Sequence, residues 1–445
     1  MVECKLILSE REWIPWNIYI VERQGLAMME QNTHSSSREV SLRRAGELSA
    51  YTTEYRAAKT DIPKGMDPAC IALYEVQKAK LLALLGGTEA DWNDWKWQMR
   101  KRIDDADTLA EILELDEAER KKLAEVAETY RFAITPYYLA LIDPADPHDP
   151  IRALSIPTDE EMADMTGEED PMAEEFTNPA GIITRRYPDR LILNVTNACA
   201  MYCRHCQRRR RIGDADLDVT QEALEESFQY IRDNPEIRDV LITGGDALAL
   251  GNEQIGYIIR SLRAIPSVEV IRIGTRTLVT MPMRFDAELL AIFEENHPLY
   301  LNTHFNHPKE LTPESVAACG RLAKAGVPLG NQMVLLRGIN CDKYVVQCLN
   351  HEMMKARVRP YYIFHAKNVR GTRHFCTSID EGLEIMAHLR GRTSGMAIPT
   401  YIVNAPGGLG KIPLLPDTIV DRDENTVTLK TWEGKLLQYP NQVLE

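Results

Sequence analysis

The chain has 445 residues, with 52 lysines and arginines against 66 aspartates and glutamates, which gives a formal charge of −14. Hydrophobic residues make up 44% and charged residues 27%, proportions typical of a soluble globular protein that exclude wholesale disorder and collagen-like repeats. The acidic balance argues against a nucleic-acid partner, because nucleic-acid-binding proteins usually present a basic face. The 9 cysteines are odd in number and thinly scattered, which argues against a secreted disulfide scaffold.

The sequence predicts a cytoplasmic location and no membrane partner. No stretch approaches the roughly 18 consecutive apolar residues of a membrane span, and the apolar run at residues 1–9 is shorter than the core of a signal peptide. In the cytoplasm the cysteines are expected to be reduced thiols or metal ligands. Met28 and Met29 precede a serine-rich stretch, so translation from one of them rather than from Met1 is a hypothesis that N-terminal sequencing of the native protein tests.

Composition divides the chain into five predicted segments. They are a variable or disordered N-terminal segment (1–65), a helical N-terminal domain (66–158), an acidic linker or strap (159–180), a barrel domain (181–415) and a C-terminal extension (416–445). Between residues 159 and 175 the acidic segment carries nine acids and no base, which predicts a self-repelling linker or a surface strap.

The barrel domain is predicted from alternating strands and helices. Short β-rich runs begin near Leu191, Val240, Val268, Leu299, Val327, Val358 and Ile398. Amphipathic helical segments fill the gaps, and strands that alternate with helices imply parallel βα units. Six or seven such units predict an α/β fold, a partial (β/α)6-type TIM-like barrel with a helical N-terminal region. Each run finishes in polar or glycine-rich residues, so we expect the candidate active site at the carboxyl ends of the strands.

Three cysteines lie on one loop after the first of these strands, in the spacing C-x3-C-x2-C: Cys199, Cys203 and Cys206. Structural zinc sites usually combine C-x2-C pairs into four ligands, and ferredoxin runs use C-x2-C-x2-C with a further cysteine. A [4Fe-4S] cluster held by three thiolates would leave one iron open for a substrate or cofactor. The alternative is three unrelated buried thiols.

Two glycine-rich segments follow other strands. Gly244-Gly245-Asp246 ends the second run, and alone it is only a turn signal. The segment from Asn404 to Lys411 fails as a phosphate-binding Walker A loop, because Ala405 occupies its first glycine position. A lysine on a glycine-rich loop can instead bind a carbonyl cofactor covalently, and the alternative is a mobile surface loop.

Several motifs occur together in a consistent order. They are Arg185-Arg-Tyr-Pro-Asp-Arg190, the cysteine motif with Gln207-Arg-Arg-Arg-Arg211, Asn302-Thr-His-Phe-Asn-His-Pro308, Gly330-Asn-Gln-Met-Val-Leu-Leu-Arg337, Leu389-Arg-Gly-Arg-Thr-Ser-Gly395 and Pro406-Gly-Gly-Leu-Gly-Lys411. In this order they closely resemble the lysine 2,3-aminomutase family of the radical S-adenosylmethionine (SAM) superfamily. The resemblance covers about residues 70–440 and implies the radical SAM form of the partial barrel.

The resemblance implies three cofactors: a [4Fe-4S] cluster, SAM and pyridoxal 5′-phosphate (PLP). It assigns Cys199, Cys203 and Cys206 to the cluster; Gly244, Gly245, Asp246, His304 and Gln332 to SAM; Arg186, Tyr187, Arg190 and Lys411 to PLP; and Arg208 to the substrate α-carboxylate. Lys411 matches the lysine that binds PLP covalently, and arginines suit the phosphate dianion. An electron donor such as flavodoxin or ferredoxin and a homo-oligomer are the further partners expected.

The sequence departs from the family pattern at two places. Leu409 interrupts the usual glycine run, which is expected to stiffen the loop. Some family members bind zinc through a cysteine cluster near the C-terminus, but this chain has no cysteine after Cys376, so no structural zinc is predicted.

The substrate is predicted from Lys367 and Asn404, which occupy the positions of two aspartates that surround the distal ammonium of lysine in the family. A distal ammonium facing Lys367 would form an uncompensated like-charge pair, which costs several kcal/mol. A distal carboxylate would gain an ion pair and a hydrogen bond. We therefore expect 2,3-migration of the amino group of L-glutamate, which gives β-glutamate.

Two alternatives remain open. One is an aminomutase that acts on lysine or another amino acid through a different distal contact, in which case Lys367 is merely a surface lysine. The other is a non-catalytic iron–sulfur electron carrier or redox sensor, which has no need for Lys411 or for the turn at Gly244–Asp246.

Overall fold

The computed structural model describes residues 36–163, 166–213 and 215–441. They fall into two compact units. The larger unit spans Thr53–Leu415, and the smaller unit combines the described residues up to Thr52 with those from Pro416 onward. The predicted five-segment division remains a prediction.

Helices occur in both units: the first helix belongs to the smaller unit and the others belong to the larger unit. They are α1 (Ser37–Ala50), α2 (Thr53–Asp61), α3 (Pro68–Leu85), α4 (Glu89–Trp92), α5 (Trp95–Arg100), α6 (Ala106–Ile112), α7 (Glu117–Thr129), α8 (Pro136–Leu139), α9 (Pro150–Ser155), α10 (Glu160–Ala163), α11 (Gln221–Asp233), α12 (Asn252–Arg263), α13 (Thr277–Thr280), α14 (Ala287–Glu295), α15 (Pro313–Lys324), α16 (Lys343–Lys355) and α17 (Ile379–Leu389). Within the described part of the chain, none of these helices is both long and apolar enough to cross a membrane.

The strands form two sheets. They are β1 (Ile183–Arg185), β2 (Arg190–Asn194), β3 (Asp239–Thr243), β4 (Val270–Gly274), β5 (Leu299–Thr303), β6 (Leu329–Leu335), β7 (Val358–His365), β8 (Thr400–Asn404), β9 (Lys411–Leu414), β10 (Ile419–Arg422), β11 (Thr426–Lys430) and β12 (Leu436–Pro440). The larger sheet has the order β1 to β9. Strands β2 to β8 are parallel, whereas β1 and β9 pair antiparallel at its two ends.

The predicted α/β fold is confirmed. Each of the seven predicted strands begins within two residues of the strand in the structure. The strand order runs from β1 to β9 without returning, which gives a partial barrel. Helices α11, α12, α15, α16 and α17 connect successive parallel strands, as βα units require.

Periodic burial explains why these segments form a layered core. Strand β6 alternates buried and partly exposed residues along its length, as expected for a strand with one face in the core. Helix α12 buries Ile255, Ile258, Ile259 and Leu262, which share one face at helical spacing. The same core includes Trp92 and Leu109 of the N-terminal helices.

The smaller unit contains α1 and the antiparallel sheet β10–β11–β12. Ser36 and Glu39 form a reciprocal capping box at the start of α1. Within the unit, Arg44 of α1 forms an ion pair of 2.6 Å with Glu433, which lies between β11 and β12.

Candidate active site

A cavity of about 1010 Å³ lies at the carboxyl ends of the parallel strands. All fifteen residues that the sequence assigns to cluster, cofactors and substrate line it. They come from eight strands and the loops that follow them, which is the distribution expected of an active site in a parallel barrel. The structure thus brings together every predicted site residue, while their individual roles remain proposals.

The cysteine loop follows β2 and is fixed by one carboxylate. Asp216 accepts hydrogen bonds from Arg102 at 2.5 Å, from Arg131 at 2.9 Å and from the hydroxyl of Tyr202, which lies next to Cys203. Arg102 also donates to the backbone carbonyl of Cys199 at 2.6 Å. These bonds tie the loop to the N-terminal helical region.

A second buried ion pair fixes the middle of the same loop. Arg204 lies between Cys203 and Cys206, is 2% exposed, and donates to both carboxylate oxygens of Glu161 at 2.9 and 2.6 Å. Arg209 donates to the same carboxylate. Such bidentate contacts are among the stronger hydrogen bonds in proteins, so the loop conformation is determined by the surrounding chain.

The three cysteines are suited to hold an iron–sulfur cluster through three thiolates. All three are free thiols that line the cavity. Among residues 36–163, 166–213 and 215–441, no group of three or more His, Cys, Asp or Glu side chains converges closely enough to hold one metal ion. A cubane cluster places each thiolate on a different iron, so its ligands do not need to converge on one point.

The glycines of Gly244-Gly245-Asp246 are required by close backbone approach. Gly244 has φ +141°, and a Cβ there would lie 2.4 Å from the carbonyl oxygen of Thr196. A Cβ on Gly245 would lie 2.5 Å from the carbonyl oxygen of Ala198. The turn therefore packs directly against the start of the cysteine loop, which leaves the cavity wall open for a ligand such as SAM.

Asp246 has a structural role that the sequence did not reveal. Its Oδ1 accepts hydrogen bonds from the Thr275 hydroxyl at 2.6 Å and from the Leu248 backbone at 3.0 Å. Its Oδ2 accepts from the backbone N–H groups of Arg276 at 2.7 Å and Thr277 at 2.9 Å. A carboxylate has about four acceptor sites, so a direct hydrogen bond between Asp246 and SAM would require exchange of one of these donors.

Arg276 lies beside the cysteine loop and was also missed. Its Nη1 donates to Cys203 Sγ at 2.7 Å, and its Nη2 donates to Glu310 at 2.7 Å and to the Tyr138 hydroxyl at 3.0 Å. Arg276 and Glu310 are both buried. Hydrogen bonds to ligand sulfurs are one of the factors that set the reduction potential of a cluster, so Arg276 is suitably placed to tune it. A lone arginine after a strand gives no sequence signal for this contact.

His304 directly follows β5, Gln332 lies in the middle of β6, and one hydrogen bond joins them. His304 Nδ1 is 2.8 Å from the Gln332 carbonyl oxygen. Burial lowers the pKa of His304 below its usual value, which favours the neutral imidazole. The two residues line the cavity as predicted for SAM contacts.

Lys411 opens strand β9 and contacts an aromatic ring. Its Nζ lies 5.5 Å from the ring centre of Tyr187, and the guanidinium of Arg190 lies 3.8 Å from the same ring. The side chain is accessible from the cavity, yet burial within its walls, together with Arg272 and Arg190, lowers the pKa of Lys411 to about 8. A lowered pKa increases the fraction of free amine that can react with a carbonyl cofactor.

The residues around Lys411 fit a phosphate-bearing cofactor. Arg186 and Arg190 line the cavity, and the Nε of Arg186 is buried without a hydrogen-bond partner. Arg272, which the sequence did not single out, lines the same wall and pairs with Asp239 at 2.7 Å. Guanidinium groups match a phosphate dianion in charge and geometry, so this region is suited to PLP.

The loop before Lys411 accommodates Leu409 without strain. Gly407, Gly408 and Gly410 have φ values of +70°, +76° and +101°, which favour glycine. Leu409 has an ordinary φ of −71°, and its side chain is 85% exposed. The leucine therefore occupies the one position of the run that does not need a glycine.

Lys367 and Asn404 line the cavity wall near the arginines. Burial and the charges of Arg208 and Arg186 lower the pKa of Lys367 to about 7. No carboxylate in the described part of the chain lies within 4.0 Å of its ammonium. A ligand carboxylate would therefore gain a strong partner here and would stabilise the charged form.

Two acids and two aromatic rings complete the site. Glu161 and Glu174 are buried against arginines, although the sequence predicts that the acidic segment 159–180, to which they belong, is a self-repelling linker or surface strap. The signal that could have identified them is the arginine run at 208–211, which supplies opposite charges at long sequence separation. Tyr361 and Tyr362 stack with ring centres 3.8 Å apart in the cavity wall.

Comparison with known sequences agrees with this arrangement. The model of the radical SAM superfamily matches residues 193–345, which carry the end of β2, the cysteine loop and strands β3 to β6. The model described as lysine-2,3-aminomutase matches residues 386–443, which include Lys411.

Three curated relatives align over most of the chain. Glutamate 2,3-aminomutase of Clostridioides difficile (strain 630) is 56% identical over 403 residues, 91% of this chain and 95% of its own. L-lysine 2,3-aminomutase of Clostridium subterminale is 46% identical over 80% of this chain and 86% of its own. L-lysine 2,3-aminomutase of Bacillus subtilis (strain 168) is 45% identical over 79% of this chain and 75% of its own.

Proposed function

The chain belongs to the lysine 2,3-aminomutase family of the radical SAM superfamily, and from this membership we propose that it is an isomerase that interconverts L-glutamate and β-glutamate. The predicted family resemblance is confirmed. The relative with 56% identity carries the name glutamate 2,3-aminomutase, which supports glutamate over lysine as the substrate.

The observation that carries the choice of glutamate is the charge around Lys367. Arg208, Arg186 and Lys411 all lower its pKa, so the region already holds an excess of positive charge. The distal ammonium of lysine would add another cation in a poorly solvated site, whereas the distal carboxylate of glutamate neutralises one. Asn404 can donate a hydrogen bond to the same carboxylate.

Membership of the radical SAM superfamily implies a [4Fe-4S] cluster and SAM, and PLP is part of our proposal. When bound, the cluster and SAM would supply a carbon radical that removes a hydrogen atom from C3 of the substrate and returns one to C2, and PLP would supply the carbonyl carbon that carries the nitrogen from C2 to C3. Cys199, Cys203 and Cys206 would hold the cluster. The turn at Gly244–Asp246 would hold SAM together with the His304–Gln332 pair.

The remaining residues bind and orient the substrate. Arg208 would hold the α-carboxylate, and Lys367 and Asn404 the distal carboxylate, so that C2 and C3 lie between the two anchors. Arg186 and Arg190 would neutralise the phosphate of PLP, with Tyr187 beside the ring of the cofactor and Lys411 next to its carbonyl carbon. Two-point anchoring of this kind lowers the entropic cost of reaching the reactive geometry.

An external electron donor such as flavodoxin or ferredoxin is part of this proposal, because reductive cleavage of SAM needs one electron. Assembly into a homo-oligomer also remains a prediction.

The proposal is tested by anaerobic reconstitution with iron, sulfide, PLP, SAM and a reductant. The enzyme is then assayed with glutamate, aspartate and lysine in parallel. We expect β-glutamate as the main product. Equal turnover of lysine would contradict the assignment of Lys367 and Asn404.

The alternative of an iron–sulfur redox protein predicts no specific binding of PLP. We expect that the reconstituted protein shows the visible absorption of covalently bound PLP and that Lys411→Ala loses it. Retention of this absorption in Lys411→Ala would show that another lysine binds the cofactor.

A further inference from the structure

The buried carboxylate of Glu174 lies at the centre of an arginine cluster. Its Oε1 and Oε2 are 3.0 and 3.2 Å from Arg208 Nε, and its Oε1 is 3.3 Å from Arg186 Nη2. Arg211 and Arg210 approach it to 3.5 and 3.9 Å. One side chain of the acidic segment therefore contacts both the arginine predicted to bind the substrate and an arginine predicted to bind PLP.

Glu174 holds these arginines from behind the cavity. Arg186, Arg208 and Arg211 line the cavity, whereas Glu174 is buried at 2% exposure outside its lining. The carboxylate engages the Nε of Arg208, and the Nη1 of Arg208 lies 3.4 Å from the carbonyl oxygen of Gly244. The guanidinium is thus fixed from two directions.

The ionised form of Glu174 is the stable one in this environment. Burial alone would raise its pKa, but Arg208, Arg211 and Arg186 outweigh that effect and hold the pKa of Glu174 below its usual value. Without the negative charge of Glu174, the repulsion between several neighbouring guanidinium groups would be less well compensated. Burying like charges together costs several kcal/mol. The cluster therefore depends on Glu174 at its centre, while Asp170 pairs with Arg210 at 2.5 Å.

The segment that carries Glu174 also contacts the loops of Lys367 and Lys411. The backbone N–H of Glu168 donates to the Asn368 carbonyl at 3.1 Å, and the N–H of Arg370 donates to the Glu168 carbonyl at 3.1 Å. The N–H of Gly407 donates to the Pro171 carbonyl at 3.0 Å. Residues 168–174 therefore link three segments that bear site residues.

We propose that Glu174 is a positioning residue that sets the affinity of the site for its two anionic ligands, by fixing Arg208 for the substrate carboxylate and Arg186 for the PLP phosphate. The assignment of the substrate rests on the proposed function. Four charged groups face Lys367: Glu174 is the anion, and Arg208, Arg186 and Lys411 are the cations. Glu174 thus also helps Lys367 to retain its proton.

The test compares Glu174→Gln with Glu175→Gln in the reconstituted enzyme. Both changes remove one negative charge from neighbouring residues, but the side chain of Glu175 is 75% exposed and lies 4.0 Å from Arg210. In Glu174→Gln we expect the Kd of PLP, measured by absorbance, and the KM for glutamate each to rise about tenfold, with kcat less affected. Glu175→Gln is expected to match the unchanged enzyme in both.

The pH profile separates positioning from a merely structural ion pair. Loss of the carboxylate lowers the pKa of Lys367 further, so kcat/KM of Glu174→Gln should fall at a lower pH than that of Glu175→Gln. If Glu174 had only a structural role, Glu174→Gln would lower the thermal midpoint of unfolding, but the pH at which kcat/KM falls would stay the same. Glu174→Asp keeps the charge and shortens the reach, so we expect it to retain the pH profile while KM rises.

The measurements give different results if the proposed role of Glu174 is wrong and if the proposed function is wrong. If glutamate is converted but Glu174→Gln equals Glu175→Gln in PLP Kd, KM and pH profile, the role of Glu174 is overturned and the proposed function stands. If the unchanged enzyme does not convert glutamate, the proposed function fails, and the PLP Kd then decides on Glu174: a tenfold rise supports its role and an unchanged value overturns it. Should Glu174→Gln not fold, Glu174→Asp carries the test, and an unchanged KM in that variant overturns the proposal.

Discussion

The two sides of the cavity differ in how their charges are balanced. On the side of the cysteine loop, buried arginines are paired with acids of the chain, as in Arg204 with Glu161 and Arg276 with Glu310. On the opposite side, the ammonium groups of Lys367 and Lys411 have no carboxylate within 4.0 Å among the described residues.

This difference distinguishes charged groups that hold the fold in place from charged groups that are available to bind a ligand. A buried ion pair that is complete within the chain holds a loop in place, and removal of one partner is strongly destabilising. An excess of cations in a cavity instead favours anionic ligands and lowers the pKa of its lysines, as at Lys367 and Lys411. Under the proposed function, the first side would hold a metal cluster in a fixed loop, and the second would bind phosphate and carboxylate groups.

The largest expected effect is on the side of the cysteine loop. Cys203→Ala removes one of three thiolates, so we expect the iron and sulfide content to fall and turnover to be lost. Elemental analysis and the visible absorption of the cluster measure this directly. Cys70→Ala, at a cysteine outside the cavity, is the matched control. Full iron content in Cys203→Ala would remove the cysteine from the cluster ligands.

On the cationic side, the substrate preference should depend on two residues. Lys367→Asp combined with Asn404→Asp replaces a cation and an amide by two anions, which repel the distal carboxylate of glutamate. We expect glutamate turnover to be abolished while the absorption of bound PLP persists. Product analysis with glutamate and lysine measures the change, and normal glutamate turnover in the double variant would contradict the assigned roles.

Removal of a charged group should lower the stability of the fold much more on the side of the cysteine loop than on the cationic side. Glu161→Gln leaves buried Arg204 without its charge partner, and breaking such a pair costs about 3–5 kcal/mol. Lys367→Met removes a poorly solvated cation that has no ion pair in the described chain, so we expect little loss of stability. Denaturant unfolding of the two variants compares the free energies of unfolding. Equal destabilisation would contradict the distinction between paired and unpaired charge.

The smallest effect is a dependence on pH. The pKa of Lys367 is lowered to about 7, so its cationic form is lost as pH rises through that value. Because the proposed role of this cation is to bind the distal carboxylate, kcat/KM for glutamate should fall with rising pH, by up to about tenfold per pH unit for a single titrating group. A Lys367→Arg variant stays charged and should lose this dependence. If kcat/KM falls over the same alkaline pH range in both enzymes, the titration of a group other than Lys367 causes the fall.

The strands and the gathering of the site residues could be predicted because both depend on local patterns. Alternation of strand and helix placed Leu191, Leu299 and Val358 at strand starts, and the strand ends then meet at one edge of the sheet. The burial of Glu174 and Glu161 could not be predicted in this way. Their partners lie tens of residues away, and a run of like charge normally marks a solvated segment.

The surroundings of two predicted residues, Asp246 and Lys411, also could not be predicted from the sequence. Asp246 accepts four hydrogen bonds from the chain, three of them from residues that follow β4, whose distance from Asp246 depends on the sheet. Lys411 was expected on a glycine-rich loop, whereas it is the first residue of β9. An edge strand of four residues after several glycines gives too short a pattern to recognise.

The pairing of β8 with β9 has a consequence for how this site can change. Asn404 lies directly opposite Lys411 in the antiparallel register, so both side chains leave the same face of the sheet. A shift of register by one residue would turn Lys411 to the other face. The loop between them can therefore vary in side chains, as Leu409 illustrates, but hardly in length. If the proposed roles hold, evolution or design of new substrate preferences at residue 404 must proceed by substitution, since insertion or deletion there would displace Lys411, the lysine proposed to bind PLP.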